Sequence, residues 1–282
     1  MAASPDFLVV GHITRDLQAD GTSRLGGTAF YAAVTAARLG WEVAVYTAST
    51  PELDLSPLLE LAEGVRVVRR PAPADTVFCN CYDGGRRQQL LFSRATPLVP
   101  EGVPPAWKQA PLVLLGPVAQ EVSPSWAQQF PRAIVAACLQ GWLRAWDEEQ
   151  RVHFTPWEEA ESWLSLLAAA FLSEEDIQGE GALAEQYAAR CPLLVLTQGA
   201  RGATLYRQGQ ACPVAPFPVQ EVEPTGAGDV FAAAFLVRYA EGTSALEAAR
   251  FASATAALSV RGEGPWAIPD RPAVEACLRM ND

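Results

Sequence analysis

"EPTGAGD" spans residues 223–229, and it leads directly into the apolar stretch "VFAAAFLVRYAEG" at 230–242. The first turn of a helix leaves backbone N–H groups without partners, and the helix dipole places partial positive charge there. Glycine residues allow such amides to approach an anion closely. We therefore predict an anion site formed by Gly226, Ala227 and Gly228, with Asp229 beside it. The alternative is an ordinary helix start, in which the acidic residue only complements the dipole.

The composition is that of a folded protein. Of the 282 residues, 50% are hydrophobic and 19% are charged, which is enough apolar material for a large core. The net charge of −11 argues against nucleic acid or an anionic membrane surface as a partner, because phosphate groups demand a basic surface. Lys108 is the one lysine, so a Walker A loop, whose lysine follows a glycine, is excluded.

The cysteines and the start of the chain point to an ordinary intracellular protein. The six cysteines form no C-x-x-C pair, and two histidines are too few to complete a metal cluster with Cys79 and Cys81, so we expect inert thiols. The opening "MAASPDFLVVGHITRD" lacks the basic and apolar regions of a signal peptide. No apolar run approaches the roughly 20 residues that span a bilayer. We expect a cytoplasmic location and no membrane partner.

Short apolar runs alternate with helical patterns along most of the chain. Continuous apolar strands separated by helices indicate an α/β protein whose parallel sheet is covered on both faces. The predicted strands are 6–11, 42–48, 65–70, 111–116, 132–138 and 192–199. The predicted helices are 26–40, the helix that follows the glycine loop, 244–260 and 271–280.

One segment breaks the alternation. "DTVFCNCYDGGRRQQLLFSRA" (75–95) has two β-prone arms around a turn at 83–86, which is typical of a hairpin. The segment is either a hairpin at the edge of the sheet with no role in binding or a lid over a site, and we favour the lid. No repeat or linker divides the chain, so we predict a single domain, 1–282, with a small β lid from about 12–25 and 75–95. The exposed edge of such a lid could also pair with a second copy, giving a monomer or a homodimer.

Three loops are expected at the ligand-binding edge. In open parallel sheets, ligands bind beyond the carboxyl ends of the strands; the loops there are 11–16, 24–28 and 223–229. A dinucleotide fingerprint is disfavoured, since Phe231 stands where its third glycine should be and the motif follows a late strand.

Three stretches together resemble a known family. They are "GGTAFYAAVTAARLG" (26–40), "VLTQGARGATLY" (195–206) and "EPTGAGDVFAAAFL" (223–236), and they resemble signatures of PfkB-type carbohydrate kinases of the ribokinase-like superfamily. The lid segment and "CLQGWLR" (138–144) resemble the inositol-kinase-like branch more than they resemble ribokinase itself. The resemblance implies a three-layer α/β/α fold with a central, mostly parallel sheet and a small β lid.

The resemblance also implies a reaction, transfer of the γ-phosphoryl group of ATP to a hydroxyl of a small sugar or cyclic polyol, with Mg²⁺. Asp229 would be the base, and Gly226, Ala227 and Gly228 the anion hole. Phosphoryl transfer is largely positioning and charge stabilisation, which such groups can supply. The implied nucleotide contacts are Thr197, Gly199, Gly202 and Thr225. The implied acceptor contacts are Asp16, Gly26, Gly27, Tyr31 and Arg87, and the implied metal contacts are Asp176 and Glu175. A monovalent cation is a further candidate.

The chain departs from the family pattern at four places. Tyr31 replaces an asparagine, Cys138 replaces an aspartate, and Glu223 replaces the first aspartate of the second signature. Ser173 and Asp176 stand where the magnesium-associated N-x-x-E motif is expected. Two alternatives therefore stay open, a nucleoside kinase of the same fold and a catalytically silent ligand-binding homologue. Asp16 as a turn residue, Asp176 as a helix-start acid and Tyr31 as a packing residue are the corresponding structural interpretations.

Overall fold

The computed structural model describes residues 3–18, 20–83 and 86–281, and the side chains of 81–87 lie outside this description. In chain order the strands are β1 (Phe7–Val10), β2 (Thr14–Leu17), β3 (Ser23–Gly26), β4 (Val43–Ser49), β5 (Arg66–Pro71), β6 (Val77–Asp83), β7 (Arg86–Ser93), β8 (Leu112–Leu115), β9 (Ile134–Cys138), β10 (Arg144–Trp146), β11 (Val152–Phe154), β12 (Ala169–Ser173), β13 (Leu193–Thr197), β14 (Ala203–Arg207) and β15 (Gln210–Val214).

The α-helices are α1 (Thr28–Arg38), α2 (Ser56–Leu61), α3 (Ala160–Trp163), α4 (Gly181–Ala188), α5 (Ala227–Ala240), α6 (Ala245–Ser259) and α7 (Arg271–Met280). Two of them carry the helix-start signals that their sequences encode. Ser244 and Glu247 form a reciprocal capping box before α6, and Asp270 accepts a hydrogen bond from the Ala273 N–H at the start of α7.

A nine-stranded sheet forms the centre of the molecule, in the order β15-β14-β13-β12-β9-β8-β1-β4-β5. The strands from β13 to β5 are parallel to their neighbours, and β14 and β15 are antiparallel additions at one edge. The predicted α/β class with a mostly parallel sheet is confirmed. Each of the six predicted strands is present, within two residues at either end.

The two faces of the sheet have separate apolar cores. In β1, Phe7 and Val9 join the core beneath α1, α5 and α6, whereas Leu8 and Val10 join the opposite core. This division follows from the two-residue period of a strand. Helix α5 is buried from Val230 to Val237 because it lies between the sheet and α6. This explains why its sequence is apolar on all sides.

Two features of the sheet were not anticipated. Strand β12, "AAFLS", is buried between β9 and β13, but its alanines carry little β propensity. Helices between strands are also scarcer than expected: β8 and β9 are joined through a 3₁₀ segment, Pro124–Gln129. The second core contains large side chains such as Trp126 and Trp142.

A separate four-stranded sheet, which we call the lid sheet, has the order β3-β2-β6-β7. Its strands come from 14–26 and 77–93, the two segments in which we expected a lid, although Gly84 and Gly85 of the hairpin turn lie outside the described residues. The hairpin of β10 and β11 adjoins it, because the Leu91 N–H donates to the Gln150 carbonyl at 2.9 Å. That hairpin was not predicted. Within the described residues, no helix is both long and apolar enough to cross a membrane.

Candidate active site

The start of α5 has the geometry that its glycines suggest. Gly226 has a φ of 80°, in the left-handed region, and a Cβ at this position would collide with the ring of Tyr31. Only glycine satisfies both conditions. The Ala227 N–H donates to the Pro224 carbonyl at 3.1 Å, whereas the N–H groups of Gly226 and Gly228 have no acceptor among the described residues. Two of the three predicted amides are therefore available to an anion, and the third is engaged in a turn.

Asp229 lies in the first turn of this helix and contacts the start of α1. The Thr28 hydroxyl donates to Asp229 Oδ1 at 2.7 Å. Thr28 follows Gly27, whose φ of 85° sets the direction in which the chain enters α1. A Cβ at Gly116, just after β8, would collide with Thr28, so the absence of a side chain there lets α1 approach the sheet closely. The two glycine motifs recognised in the sequence thus meet at one point.

The surroundings raise the pKa of Asp229 to about 6. Withdrawal from water is the main cause, and the negative charges of Asp176 and Asp16 act in the same direction. The hydrogen bond from Thr28 and the positive charge of Arg144 oppose the rise. Asp229 is therefore mostly ionised at pH 7, and it is a better proton acceptor than a carboxylate in water.

Asp16 lies on β2, in the lid sheet, and faces the same region. Thr14 donates to Asp16 Oδ1 at 2.7 Å, and a Cβ at Gly26 would collide with this carboxylate. Asp16 is paired across the ribbon with Arg24, so the two side chains share a face. Gly26 thus makes room for the Asp16 side chain, and acceptor contact by either residue stays a prediction.

Arg24 links the lid sheet to the loop before α5. Its Nη1 atom lies 3.4 Å from Glu223 Oε2, and Nη2 lies 3.8 Å from Glu263 Oε2. Glu223 also accepts the Gly264 N–H at 2.9 Å. The Glu223 carboxylate therefore already has a cationic and an amide partner.

Tyr31 is buried between α1 and the glycine loop, with its ring against Gly226. Burial raises the pKa of its hydroxyl, and so do the carboxylates of Asp16, Glu223 and Asp229. The hydroxyl therefore stays protonated and faces the same group of acids. The packing role is visible here, and acceptor contact by Tyr31 stays a prediction. The side chain of Arg87, the other predicted acceptor contact, lies outside the described residues.

Asp176 follows β12 in a reciprocal turn with Ser173. The Ser173 N–H donates to Asp176 Oδ2 at 2.8 Å, and the Asp176 N–H donates to Ser173 Oγ at 3.1 Å. Gln140, after β9, donates to Asp176 Oδ1 at 3.1 Å. Cys138 is buried near this carboxylate, and burial, together with the charges of Asp229 and Asp176, raises the pKa of its thiol. The thiol is consequently neutral and unreactive.

The described residues contain no group of three or more His, Cys, Asp or Glu side chains that could hold a metal ion. Asp176 and Asp229 are nevertheless close enough to interact electrostatically, and Glu175, next to Asp176 in the chain, is exposed. Such a sparse carboxylate set fits Mg²⁺, which keeps several waters and binds substrate phosphates, better than it fits an ion held by protein ligands alone.

The predicted nucleotide residues lie at the carboxyl end of β13 and around the turn after it. Thr197 ends β13, and the turn contains Gly199 and Gly202, whose φ angles are 56° and 90°. A Cβ at Gly202 would collide with the Val214 carbonyl, which explains the glycine. Thr225 is exposed in the loop before α5. These four residues share the carboxyl edge of the sheet, and their contact with a nucleotide stays a prediction.

Arg144 is a site residue for which the sequence suggested no role. It follows the 3₁₀ turn Gln140–Leu143, its guanidinium lies over the Phe78 ring at 5.6 Å, and it donates to the Val118 carbonyl at 3.3 Å. Its charge acts on Asp229. The stretch "CLQGWLR" contains this arginine, but nothing in the local pattern indicates that β9 ends next to the start of α5.

Comparison with known proteins agrees with this architecture. The model of the pfkB family carbohydrate kinases matches residues 157–271, which include Asp176, Thr197 and the glycine loop. The inositol 3-kinase of Oryza sativa subsp. japonica is 35% identical over 138 residues, which make up 47% of this chain. The matched part is 34% of that protein, so the chain spans about a third of the length of this curated relative.

Two solved structures share the whole fold. A pyrophosphate-dependent kinase in the ribokinase family, complexed with a pyrophosphate analog and myo-inositol, superposes with a TM-score of 0.81 at 25% identity, over 96% of this chain and 99% of that one. The ribokinase of Arabidopsis thaliana, complexed with ribose and ATP, superposes with a TM-score of 0.75 at 20% identity, over 98% and 99% of the two chains. The family match, the fold and these relatives together show what the chain is similar to: PfkB-type carbohydrate kinases, with an inositol 3-kinase among its curated relatives.

Proposed function

We propose that this protein transfers a phosphoryl group to a hydroxyl of a small sugar or cyclic polyol, with Asp229 as the general base. The observation that carries the proposal is the position of Asp229: it lies within the first turn of α5, beside two glycine amides that have no acceptor among the described residues, and burial raises its pKa to about 6. A base and an anion site at one helix start suit a reaction in which a hydroxyl loses its proton as negative charge develops on a phosphoryl group.

In this mechanism the acceptor hydroxyl lies next to the Asp229 carboxylate, which takes its proton. The N–H groups of Gly226 and Gly228 and the positive end of α5 stabilise charge on the transferred group. Thr28 holds the carboxylate in place through its 2.7 Å hydrogen bond. Asp16, Gly26 and Gly27 line the acceptor side together with Tyr31, and Arg87 is a further proposed contact.

We propose ATP as the donor, bound along Thr197, Gly199, Gly202 and Thr225. Mg²⁺, when bound, would neutralise the donor phosphates, and Asp176 with Glu175 would reach it through water. Pyrophosphate is a second candidate donor, favoured by the superposition on a pyrophosphate-dependent kinase. Glu223 is the candidate ligand for a monovalent cation, but Arg24 already lies 3.4 Å from this carboxylate, so we propose no cation requirement for the wild type.

The proposed acceptor class is a cyclic polyol or sugar, supported by the match to an inositol 3-kinase and by the fold shared with a myo-inositol complex. A nucleoside acceptor and a silent ligand-binding role remain the alternatives. The proposed location is the cytoplasm, and the proposed assembly is a monomer or a homodimer. Neither nucleic acid nor a membrane is a proposed partner.

An assay of each phosphoryl donor against each class of acceptor tests the proposal. Purified protein is incubated with ATP or pyrophosphate, Mg²⁺ and a panel of inositols, sugars and nucleosides, and release of ADP or phosphate is measured. We expect acceptor-dependent turnover with ATP and an inositol or sugar, reduced roughly 10²–10⁴-fold in Asp229→Asn. Turnover with nucleosides alone would show that the acceptor is a nucleoside and not a sugar or polyol. Binding of ATP without turnover on any acceptor would support the silent homologue instead.

A further inference from the structure

His12 occupies the junction between the lid sheet and the rest of the molecule. It lies between β1 and β2 and is completely buried. Its Nδ1 atom is 2.7 Å from Thr76 Oγ1, just before β6, and its Nε2 atom is 3.1 Å from the Thr96 carbonyl, just after β7. The remaining crossing, from β3 into α1, passes Gly27, where a Cβ would lie 2.7 Å from the His12 carbonyl. The chain passes between the lid sheet and the rest of the molecule at four places, which we call the crossings: from β1 to β2, from β3 to α1, before β6 and after β7. All four crossings meet at His12.

The hydrogen bonds define the protonation state of the ring. A carbonyl oxygen can only accept, so Nε2 carries the proton that is donated to Thr96. Nδ1 is then the acceptor, and the Thr76 hydroxyl donates to it. Thr76 Oγ1 in turn accepts the Ala95 N–H at 3.0 Å. The neutral imidazole satisfies every polar atom of this buried set.

A buried carboxylate anchors the same residue to the core. Glu121 is 1% exposed and accepts the His12 N–H at 3.0 Å, as well as the N–H groups of Val118 and Ala119. The other charged groups around the junction are Arg94, from the segment after β7, and Asp75, which accepts the Thr50 N–H at 2.8 Å and pairs with Arg15. The Glu121 carboxylate thus ties the backbone of His12, which follows β1, to the loop after β8, while Arg15 and Asp75 connect β2 to the segment before β6.

We propose that His12 is the positioning residue of the lid: its neutral Nε2–H imidazole holds the four crossings in register, and protonation of the ring loosens the lid sheet. The consequence for acceptor binding rests on the proposed function, but the coupling between the ring and the lid does not. His12 itself touches no reacting group.

Protonation has this effect because Nδ1 would become a donor. It would face the Thr76 hydroxyl, whose oxygen already accepts the Ala95 N–H and whose proton would lose its acceptor. Burial lowers the pKa of His12 below its ordinary value, although Glu121 and the Thr96 carbonyl oppose this, and Arg94 adds to the lowering. The fold therefore favours the neutral ring. Its stabilising contribution is complete above the unfolded pKa, near 6.5, and is lost as pH falls through the lower native pKa.

Amide hydrogen exchange, corrected for the intrinsic pH dependence of exchange, tests this inference on the whole chain. We compare the wild type with Thr76→Val, which removes the bridging hydroxyl at nearly constant volume, and with Thr76→Ser, which retains it. We expect Thr76→Val to speed exchange in β2, β6 and β7 roughly tenfold, the effect of losing about one buried hydrogen bond, while β1 and β8 keep their protection. Thr76→Ser should resemble the wild type.

The pH dependence supplies the second readout. The chain has two histidines, and the exposed His153 is removed in His153→Gln, so the remaining imidazole resonance reports His12. We expect lid exchange to accelerate on acidification with the same midpoint as this resonance, and equally in Asp229→Asn. The inference would be overturned if Thr76→Val left the exchange rates unchanged, or if the exchange rates of the lid strands did not change as His12 titrates. Neither measurement uses turnover, so a failed kinase assay leaves this result independent.

Discussion

Thr28 and Asp229 lie 201 positions apart in the chain, and the hydroxyl of one donates to the carboxylate of the other at 2.7 Å. The bond joins the first turns of α1 and α5, each entered through a glycine of positive φ, Gly27 and Gly226. Two helix N-termini therefore converge on one carboxylate. This convergence keeps Asp229 oriented and partly compensates its removal from water.

Asp229→Asn should separate catalysis from stability. If Asp229 is the base, kcat should fall by roughly 10²–10⁴, while donor affinity changes less than about tenfold. Because the fold raises the pKa of Asp229, the ionised form destabilises the protein as pH rises through about 6. The variant should therefore show a higher Tm than the wild type at pH 8 and a smaller difference at pH 5. Undiminished turnover would remove Asp229 from the role of base.

Thr28→Val should shift the acid limb of the rate profile to higher pH. The Thr28 hydrogen bond lowers the pKa of Asp229, so its loss should raise that pKa further and reduce kcat/KM more at pH 6 than at pH 8. Thr28→Ser keeps the hydroxyl and serves as the control. Equal pH profiles for the valine and serine variants would contradict this assignment.

Arg144→Met should raise the same pKa by a different route, because Arg144 contributes positive charge at Asp229. Arg94→Met is the matched control: Arg94 stacks on Trp146 at 5.2 Å and donates to the Ala119 carbonyl, next to the Val118 carbonyl that Arg144 contacts. We expect the acid limb to move upward in Arg144→Met only. A shift of equal size in both variants would indicate a general disturbance of the lid instead.

Replacement of Asp176 and Glu175 by alanine should raise the Mg²⁺ concentration needed for half-maximal activity, if these carboxylates reach the ion through water. Ser173→Ala removes the hydroxyl that accepts the Asp176 N–H at 3.1 Å but leaves both carboxylates, and it controls for the local turn. An unchanged Mg²⁺ titration in the double variant would mean that donor phosphates alone hold the metal.

Arg24→Gln should make activity more sensitive to monovalent cations. In the wild type, the Arg24 guanidinium lies 3.4 Å from Glu223, next to the glycine loop, so added K⁺ has little charge left to neutralise there. At constant ionic strength, we expect the wild type to turn over at nearly the same rate in Na⁺ as in K⁺. The turnover rate of the variant should depend on the cation. A strong K⁺ requirement in the wild type would contradict this view of the loop.

Several elements follow directly from local sequence. Strand β1 is recognisable as a short apolar run, and its alternate residues divide between two cores as the strand period requires. The glycine loop before α5 predicts its own backbone, since Gly226 adopts the left-handed conformation that glycine permits. The hairpin arms at 75–95 were predictable from two β-prone runs around a turn.

Other features had no local signal. The alanine-rich "AAFLS" becomes β12 because neighbouring strands surround it, so tertiary packing overrides its low propensity. The charge of Arg144 acts on Asp229 only because β9 ends near α5, and His12 becomes a junction only because Thr76 and Thr96 fold back against it. None of these contacts is between neighbours in sequence.

By itself, then, the sequence determined the alternation of strands and helices, the glycine-led helix starts and the family resemblance. The spacing of apolar residues and the backbone conformations open to glycine are properties of a few consecutive residues, so they can be recognised without the fold. Tertiary structure decided which charges surround Asp229, how the Ser173–Asp176 turn faces Gln140, and where the lid crossings meet. A pKa or a buried hydrogen bond depends on atoms within a few ångströms in space, and those atoms come from segments tens to hundreds of residues apart.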